Sequence, residues 1–284
     1  MLGGTGRPAP LLEAELEQLA RGAAGVFGVN FLMPFLDRAC VAVAACRARI
    51  VEFFWGEPER ALVDEAHAFG ALVSWQVGSL EEALAAERAG CDFVIAQGTE
   101  AGGHVRGQTS VLPLLSQVLD GLQIPVLAAG GIATARDLAA VIAAGASGAR
   151  MGTRFAACAE SGAHPEYVRA LLAATAADTC LTEVFAEQWP DAPHRVLRSA
   201  IAAAQMSADP IIAQVEIGGR ALPIPRFSPL VPTTATTGNI AAMALYAGES
   251  VTHVTSVEPA AAIVAQLIVG AERRLRELVR SGAG

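Results

Sequence analysis

The sequence predicts an α/β protein of the TIM-type (β/α)8 barrel class, and three observations support this prediction. Alanine-rich helical segments that end in glycine are repeatedly followed by short β-branched or aromatic runs. The helix-ending glycines at 70, 90, 121 and 145 lie 20 to 31 residues apart, close to one-eighth of a barrel of about 250 residues. The predicted strands are apolar along their whole length, which is typical of strands buried on both faces of a parallel sheet.

The βα units are predicted in chain order. Residues 1–4 resemble the end of a strand, and a helix follows over about 10–21. Six clearer strands are predicted at 26–33, 50–55, 71–76, 92–97, 125–129 and 148–152. Because this makes seven units rather than eight, we expect the barrel to lack its first βα unit or to begin further upstream.

Helix ends carry their own signals. Glycine just after a helix accepts the left-handed conformation that closes it. Ser79 with Glu82 and Thr134 with Asp137 have the spacing of capping boxes, in which side-chain oxygens accept hydrogen bonds from the first N–H groups.

The repeating pattern of helix, glycine and strand ends after about residue 174. We predict a barrel over 1–174, an inserted cap subdomain over 175–240, and a C-terminal helical part of the barrel over 241–284. The cap contains predicted strands at 179–185 and 233–237. The final helix, from about 259 to 280, is amphipathic and has arginines late in its length, where cations suit the helix dipole.

Composition excludes several classes of function. The chain has 284 residues, 53% of them hydrophobic, with 28 acidic residues and 20 basic residues that are all arginine, for a net charge of −8. An acidic chain with scattered arginines does not have the basic surface with which proteins bind nucleic acid or an anionic membrane. No signal peptide or spanning segment is predicted.

The five cysteines form no Cys-x-x-Cys pair. They indicate reduced, mostly buried thiols in a cytoplasmic protein and no zinc site. No His, Cys, Asp and Glu group has the spacing of metal ligands, so we expect no metal.

In a barrel, function lies on the loops after the strands. Those loops contain Asn30, the run Gln97-Gly-Thr-Glu-Ala-Gly-Gly-His104, the pair Gly130-Gly131, and Gly152-Thr153. Glycines at successive strand ends let a phosphate approach the backbone, and Thr153 adds a hydroxyl donor. The alternative is that each glycine pair only makes a tight turn.

His104 is the favoured catalytic candidate, because a histidine in a glycine-rich loop at the barrel mouth can take a proton at neutral pH. The alternative for His104 is an ordinary surface histidine. His164 is expected to start a helix, whereas His194 and His253 fall in or near the cap and could line a pocket. We expect Trp189 to pack in the core or cap.

These motifs, in this order and spacing, resemble the nitronate monooxygenase family. The resemblance rests on the run 97–104, on Ala128-Ala-Gly-Gly-Ile132 and on Arg150-Met-Gly-Thr153. Phe27-Gly-Val-Asn30 and Pro259-Ala-Ala-Ala-Ile-Val are also similar, so nearly the whole chain is covered.

The resemblance implies a barrel that binds FMN non-covalently beneath a small cap. It implies that His104 is the catalytic histidine, acting on a nitroalkane or its nitronate, with O₂ as co-substrate. The implied FMN contacts are Asn30, Gln97, Gly102, Gly130, Gly131, Arg150, Met151, Gly152 and Thr153. Arginine at 150 departs from the glutamine of many relatives, which puts a side-chain contact there in doubt but not a backbone contact.

Two alternatives to an FMN-dependent nitronate monooxygenase stay open. One is a flavin-dependent enoyl-acyl-carrier-protein reductase of the same fold, and the other is a non-catalytic remnant of the barrel. The partners implied are small molecules, without nucleic acid or membrane, and a homodimer is compatible with the resemblance.

Overall fold

The structure is a computed structural model that describes residues 1–22, 25–217 and 219–281. In it the chain divides into two compact units. The first unit comprises residues 1–97 and 112–128, and the second comprises residues 98–111 and 129–284. The division into barrel, cap and C-terminal part at 174/175 and 240/241 stays a prediction.

The first half of the chain alternates strands with helices, as the sequence predicts. In order, the elements are β1 (Leu2–Gly3), α1 (Ala9–Gly22), β2 (Gly28–Leu32), α2 (Arg38–Arg47), β3 (Ile50–Phe54), α3 (Arg60–His67), β4 (Leu72–Val77), α4 (Leu80–Ala89), β5 (Phe93–Gln97), β6 (Gly103–His104), α5 (Val111–Gly121), β7 (Val126–Ala129), α6 (Ala135–Ala143) and β8 (Gly148–Arg150).

The parallel sheet follows chain order, β1-β2-β3-β4-β5-β7-β8. Its strands are the seven predicted ones, each with slightly different ends. The register pairs Asn30 with Glu52 and Glu52 with Ser74 on adjacent strands. Neighbouring strands are rich in buried β-branched and aromatic residues, among them Phe31, Phe53 and Trp75, whose rings contact one another in sequence.

The helix signals in the sequence are largely confirmed. Gly90 closes α4 at a φ of 98°, in the left-handed region where glycine is at no disadvantage. Thr134 and Asp137 form a reciprocal capping box at α6. Ser79 accepts from the Glu82 N–H, but the Glu82 carboxylate accepts from the N–H of Gly78 rather than that of Ser79, so this second box is shifted by one residue.

The second half of the chain contains short helices and two antiparallel sheets. Its elements are α7 (Thr153–Ala156), α8 (Pro165–Ala173), β9 (Thr179–Thr182), β10 (His194–Leu197), α9 (Arg198–Met206), β11 (Ile211–Ile217), β12 (Arg220–Pro225), β13 (Thr236–Gly238) and α10 (Ala260–Ser281). Short 3-10 helices lie at 33–35, 176–178, 240–242 and 249–253.

One antiparallel sheet has the order β6-β10-β9 and the other has the order β12-β11-β13. The predicted strand at 179–185 is therefore shorter and pairs with β10, not with the parallel sheet. The strand predicted at 233–237 is β13, displaced to 236–238. His164 caps α8 by accepting from the Glu166 N–H, as expected for a helix start.

A buried apolar cluster holds this part together, with Leu171, Phe185 and Val196 among its fully buried members. Within the described residues, no helix combines the length and the apolar character that a membrane crossing requires. All five cysteines are free thiols, and Cys40, Cys91 and Cys158 are buried.

Candidate active site

His104 lies in a strand and not in a flexible loop, which corrects the sequence-based expectation. It forms β6 together with Gly103, and β6 pairs antiparallel with β10 so that His194 lies opposite His104. The neighbouring Val105 N–H donates to the Pro193 carbonyl at 2.8 Å, which extends the pairing by one residue. The backbone of the candidate catalytic histidine is therefore fixed by β10.

Aromatic rings surround the His104 imidazole. The Trp189 indole stacks on it, with ring centroids 3.9 Å apart and an angle of 22° between the planes. Tyr246 lies at 5.6 Å and His194 at 5.2 Å, both tilted. Trp189 is buried, as predicted, but it packs on the candidate catalytic residue itself, which the sequence did not indicate.

His194 is held in one tautomer by its two backbone partners. Its Nδ1 lies 2.8 Å from the Ala192 carbonyl, to which it must donate, and its Nε2 accepts from the Phe185 N–H at 3.2 Å. Both ring nitrogens are thus used in the neutral form, and protonation would break the bond from Phe185. Burial lowers the pKa of His194, opposed by the Ala192 hydrogen bond and by Glu183.

Burial also lowers the pKa of His104. Burial, with a smaller contribution from His194, lowers the pKa of His104 to about 3. Desolvation favours the neutral form because a charged imidazolium loses its hydration. His104 is therefore neutral throughout the physiological pH range.

Two tyrosine hydroxyls in this part of the chain donate hydrogen bonds to backbone carbonyl groups. The Tyr246 hydroxyl donates to the Pro229 carbonyl at 2.8 Å, and the Tyr167 hydroxyl donates to the Tyr246 carbonyl at 2.5 Å. Burial raises the pKa of both phenols. Tyr246 thus presents a fixed, uncharged ring toward His104.

The loop before His104 packs closely against residues 247–249. A Cβ on Gly102 would overlap the Gly248 nitrogen and lie 2.8 Å from the Ala247 carbonyl carbon, so only glycine fits there. The Glu249 N–H donates to the Glu100 carbonyl at 2.9 Å. Gly102, predicted to lie near the flavin, therefore also has a packing role.

Arg195 connects the loop before His104 to the β6-β10-β9 sheet. Its Nε donates to the Thr99 carbonyl at 2.9 Å, and its guanidinium lies 3.2 Å from the Glu249 carboxylate. Arg195 follows His194 in β10 and is largely buried. The sequence analysis did not identify this residue, because its partners are remote along the chain.

The predicted glycine segments converge on the same loop. Gly130 and Gly131 have φ angles of 102° and 71°, and a Cβ on Gly131 would lie 3.3 Å from the Cβ of Glu100. The Gly248 N–H donates to the Thr153 Oγ1 at 2.9 Å. The structure therefore brings together Gly102, the Gly130–Gly131 pair and Thr153 around residues 98–102 and 247–249.

Gly152 differs from these glycines, because a Cβ there would meet no atom within 4 Å. Its neighbour Met151 packs against the apolar cluster of Cys158, Ile263 and Leu267, so its side chain is occupied. Arg150 ends β8 and is partly buried. Backbone contacts are thus the ones that Met151 and Gly152 can offer to a ligand.

Asn30 and Gln97 lie in the first unit, on a face of the parallel sheet that is more polar than predicted. The Asn30 Nδ2 donates to the Glu52 Oε1 at 2.6 Å. The register places Glu52, Ser74 and Gln76 on the same face as Asn30, and all three are buried. The expectation of strands that are apolar on both faces is therefore wrong for β3 and β4.

The missed residue with the clearest signal is Glu52, a single carboxylate within the run Ile50-Val-Glu-Phe-Phe54. Its bond to the Asn30 amide nitrogen leaves the Asn30 carbonyl oxygen as the group that can accept from a ligand. Within the described residues, no group of three His, Cys, Asp or Glu side chains is placed to hold a metal ion.

Two curated relatives match about half of this chain. The chain is 36% identical over 147 residues to a probable nitronate monooxygenase of Bacillus subtilis, a match covering 49% of this chain and 42% of that protein. It is 40% identical over 144 residues to the nitronate monooxygenase of Pseudomonas aeruginosa, covering 48% of this chain and 41% of that one. These matches cover about two fifths of each relative's length.

Solved structures match over nearly the whole chain. FabK from Thermotoga maritima has a TM-score of 0.77 and 25% identity, and the match covers 97% of this chain and 85% of FabK. A nitroalkane oxidase from Streptomyces ansochromogenes has a TM-score of 0.75 and 28% identity, covering 98% and 89%. The predicted TIM-type α/β barrel class is thereby confirmed.

The model of one protein family, described as nitronate monooxygenase, matches residues 7–270. That range includes His104, both glycine segments and the β6-β10-β9 sheet. The chain belongs to the nitronate monooxygenase family.

Proposed function

We propose that this chain is an FMN-dependent nitronate monooxygenase, which oxidises alkyl nitronates with O₂ to a carbonyl compound and nitrite. The observation that carries the proposal is the neutral His104 imidazole, fixed by β10 and stacked on Trp189. It stands in the run Glu100-Ala-Gly-Gly-His104, with the family's two glycine segments converging on the same loop.

The second unit has a backbone cradle that suits the phosphate of FMN. Gly130 and Gly131 adopt conformations that other residues rarely take, and the missing Cβ of Gly152 leaves open space. Backbone N–H groups without side chains in front of them are the usual ligands of a phosphate dianion. We assign this role to Gly130, Gly131 and the segment Arg150–Thr153, with the Thr153 hydroxyl still able to donate its proton.

FMN, when bound, would supply the oxidising chemistry that no side chain here can provide. The flavin contacts of Asn30, Gln97 and Gly102 stay predictions. The hydrogen bond from the Asn30 amide nitrogen to Glu52 supports a flavin contact by Asn30, because it leaves the Asn30 carbonyl oxygen available to a ligand.

His104 is better suited to bind an anion than to remove a proton from carbon. A general base works best when its pKa lies near the working pH, and the pKa of His104 is lowered to about 3. A neutral imidazole still carries one N–H donor, which can hydrogen-bond a nitronate oxygen. The substrate we favour is therefore the preformed nitronate, with the neutral nitroalkane as a slower alternative.

The test uses the purified protein with FMN and propyl-2-nitronate. We expect O₂ consumption and nitrite release that both depend on FMN. Absence of both, with flavin demonstrably bound, would contradict the proposal. A protein that binds no flavin under any condition would instead support the non-catalytic remnant.

A flavin-dependent enoyl-acyl-carrier-protein reductase is the second candidate, and the match to FabK over 97% of the chain keeps it open. Anaerobic mixing separates the two. Bleaching of the flavin by a nitronate but not by NADH or NADPH supports the monooxygenase, whereas rapid bleaching by either nicotinamide supports the reductase.

The proposal includes a cytoplasmic location, where the five free thiols would stay reduced. The expected partners are the nitronate or nitroalkane and O₂. A homodimer is part of the proposal, and sedimentation analysis tests it.

A further inference from the structure

We propose a second ligand site in the second unit, specific for the diphosphate group of a small organic ligand and separate from the proposed FMN site. It is a cavity of about 520 Å³ lined by the first turn of α6, by His253 and by Arg274 of α10. We call it the Arg136–Arg274 pocket, and its lining residues are Thr134, Ala135, Arg136, Asp137, His253 and Arg274.

The charge of this pocket is unusual for this chain. The protein has a net charge of −8, and arginines commonly pair with carboxylates, as in Arg154–Glu258 and Arg195–Glu249. Within residues 1–22, 25–217 and 219–281, neither Arg136 nor Arg274 has an ion pair or a side-chain hydrogen bond. Two guanidinium groups therefore line one cavity without an acidic partner.

Arg274 supplies the second observation. Its Nε is enclosed by the protein and has no hydrogen-bond partner among the described residues. A buried donor without an acceptor is unfavourable, because it has given up water and received nothing in exchange. An anionic ligand in the pocket would provide acceptors for the accessible part of the Arg274 side chain, which is only half-buried, and so offset the cost of enclosing its Nε.

The carboxylate in the pocket, that of Asp137, forms no ion pair with either arginine among the described residues. Asp137 Oδ2 accepts from the N–H of Thr134 at 2.8 Å and from the N–H of Ala133 at 3.1 Å, within the capping box of α6. Its negative charge thus already serves the free N–H groups of the helix start. His253 adds a ring nitrogen to the same wall.

The walls are held close by the packing of α10 on α6. A Cβ on Gly270 would lie 2.6 Å from the Cβ of Ala135, so glycine is needed where the two helices meet. Arg274 is one turn further along α10. The spacing of the two arginines is therefore set by a helix contact rather than by a mobile loop.

The chemistry and the size together indicate the ligand class. The planar guanidinium matches two oxygens of a phosphate, which makes arginine the preferred residue for such groups. The volume of about 520 Å³ lies within the range of organic ligand sites, about 300–1,000 Å³, and greatly exceeds one phosphate ion. We therefore commit to an organic diphosphate, such as a nucleoside diphosphate.

The experiment is calorimetric titration of the FMN-saturated protein, in a phosphate-free buffer, with ADP, pyrophosphate and inorganic phosphate. We expect saturable binding of ADP with a Kd of about 1 mM or tighter, and weaker binding of pyrophosphate. If pyrophosphate or phosphate binds and ADP does not, the site takes a free inorganic anion and the organic ligand is wrong.

The variants are Arg274→Gln and Arg136→Gln, with Arg273→Gln as the matched control. Arg273 is exposed, adjacent in α10 and paired with Glu277, and it does not line the pocket. We expect each pocket variant to weaken ADP binding about tenfold and the control to leave it unchanged. Because Arg136 is exposed, its variant keeps the test valid if Arg274→Gln fails to fold.

Three further results would overturn the inference. The first is no saturable heat with any of the three probes, and the second is equal binding by the wild type and both variants. The third is a parallel loss of FMN affinity in the variants, which would make the pocket part of the flavin site. None of these results depends on nitronate turnover, so failure here is distinguishable from failure of the proposed function.

Discussion

His194 lies directly opposite His104 in the β6–β10 pair, and their ring centroids are 5.2 Å apart. His194 uses both ring nitrogens on backbone partners, so it cannot pass a proton to or from His104 without losing one of them. A charge on either ring would also face the other ring in a buried setting. The pair therefore favours a site in which both imidazoles stay neutral.

The first prediction concerns stability and pH. His104 has a folded pKa of about 3 against an ordinary value of 6.5. Below pH 6.5 the unfolded chain gains a proton that the folded chain does not, so stability falls as the pH decreases from 6.5 toward 3. We expect His104→Gln to show a shallower decrease of Tm over this range.

Thermal melts at a series of pH values make this measurement. His67→Gln serves as the control, since His67 is exposed on α3 and faces Asp92 instead. An unchanged pH slope in His104→Gln would mean that the His104 ring is accessible to protons in the folded state.

The second prediction concerns the pH profile of turnover. Since His104 stays neutral, kcat/KM for a preformed nitronate should show no histidine inflection between about pH 5 and pH 8. Stopped-flow flavin reduction by propyl-2-nitronate tests this. A loss of activity centred near pH 6.5 would show that the bound cofactor restores an ordinary histidine pKa.

The third prediction compares substrates in His104→Asn. Proton removal by a positioned base contributes about 10²–10⁴-fold, and a preformed nitronate does not need that step. Because its lowered pKa makes His104 a weak base, we expect the variant to lose turnover of nitronates and of neutral nitroalkanes to a similar extent, through loss of the hydrogen bond to the nitronate oxygen. Nitrite release from paired nitroalkane and nitronate substrates measures both.

A loss on neutral nitroalkanes that exceeds the loss on nitronates by about 10²-fold or more would contradict this expectation and show that His104 acts as a base. Similar losses would leave binding of the anion as its whole contribution, which its lowered pKa favours.

The fourth prediction concerns Trp189. Its indole is parallel to the His104 ring at 3.9 Å, and such aromatic pairs contribute about 0.5–1.5 kcal/mol beyond buried area. Trp189→Phe should retain most activity, whereas Trp189→Leu should lower kcat/KM up to about tenfold. Steady-state kinetics beside thermal melts separates loss of orientation from loss of folding, and similar kinetics for both variants would argue against the stack.

The fifth prediction concerns Gly152. Because a Cβ there meets no protein atom within 4 Å, Gly152→Val should fold normally and yet weaken FMN binding by occupying the phosphate's space. Gly25→Val is the matched control, since it also has open space and an ordinary φ. Flavin fluorescence titration and circular dichroism give the two readouts.

Retained FMN affinity in Gly152→Val would show that this glycine only makes a turn. Gly131→Val is also expected to release FMN, but it is less informative. Its φ of 71° would strain a β-branched residue and lower stability whether or not a phosphate lies nearby.

Local signals in the sequence predicted the parallel part of the fold well. Gly90 and the Thr134–Asp137 box are decided by residues within one helical turn, so they can be identified without tertiary structure. The antiparallel pair of β11 and β12 was missed, although a Gly-Gly pair in this part of the sequence is a recognised hairpin signal.

The site could be predicted only in part, for a physical reason. His104 and the glycine segments were found because short motifs carry them. Trp189 and Arg195 reach the site through the pairing of β6 with β10, about ninety positions apart along the chain, and no local pattern encodes that pairing. Glu52 was obscured because one carboxylate in an apolar run does not change the strand prediction.

The two-residue pairing of β6 with β10 also limits how this protein can vary in evolution or in the laboratory. A slip of one residue in β10 would turn His194 to the opposite face of the sheet and bring Arg195 against His104. Insertions are thus worst tolerated just before His194, where they would change this register. A redesign of the site should therefore keep the number of residues between Trp189 and His194 constant.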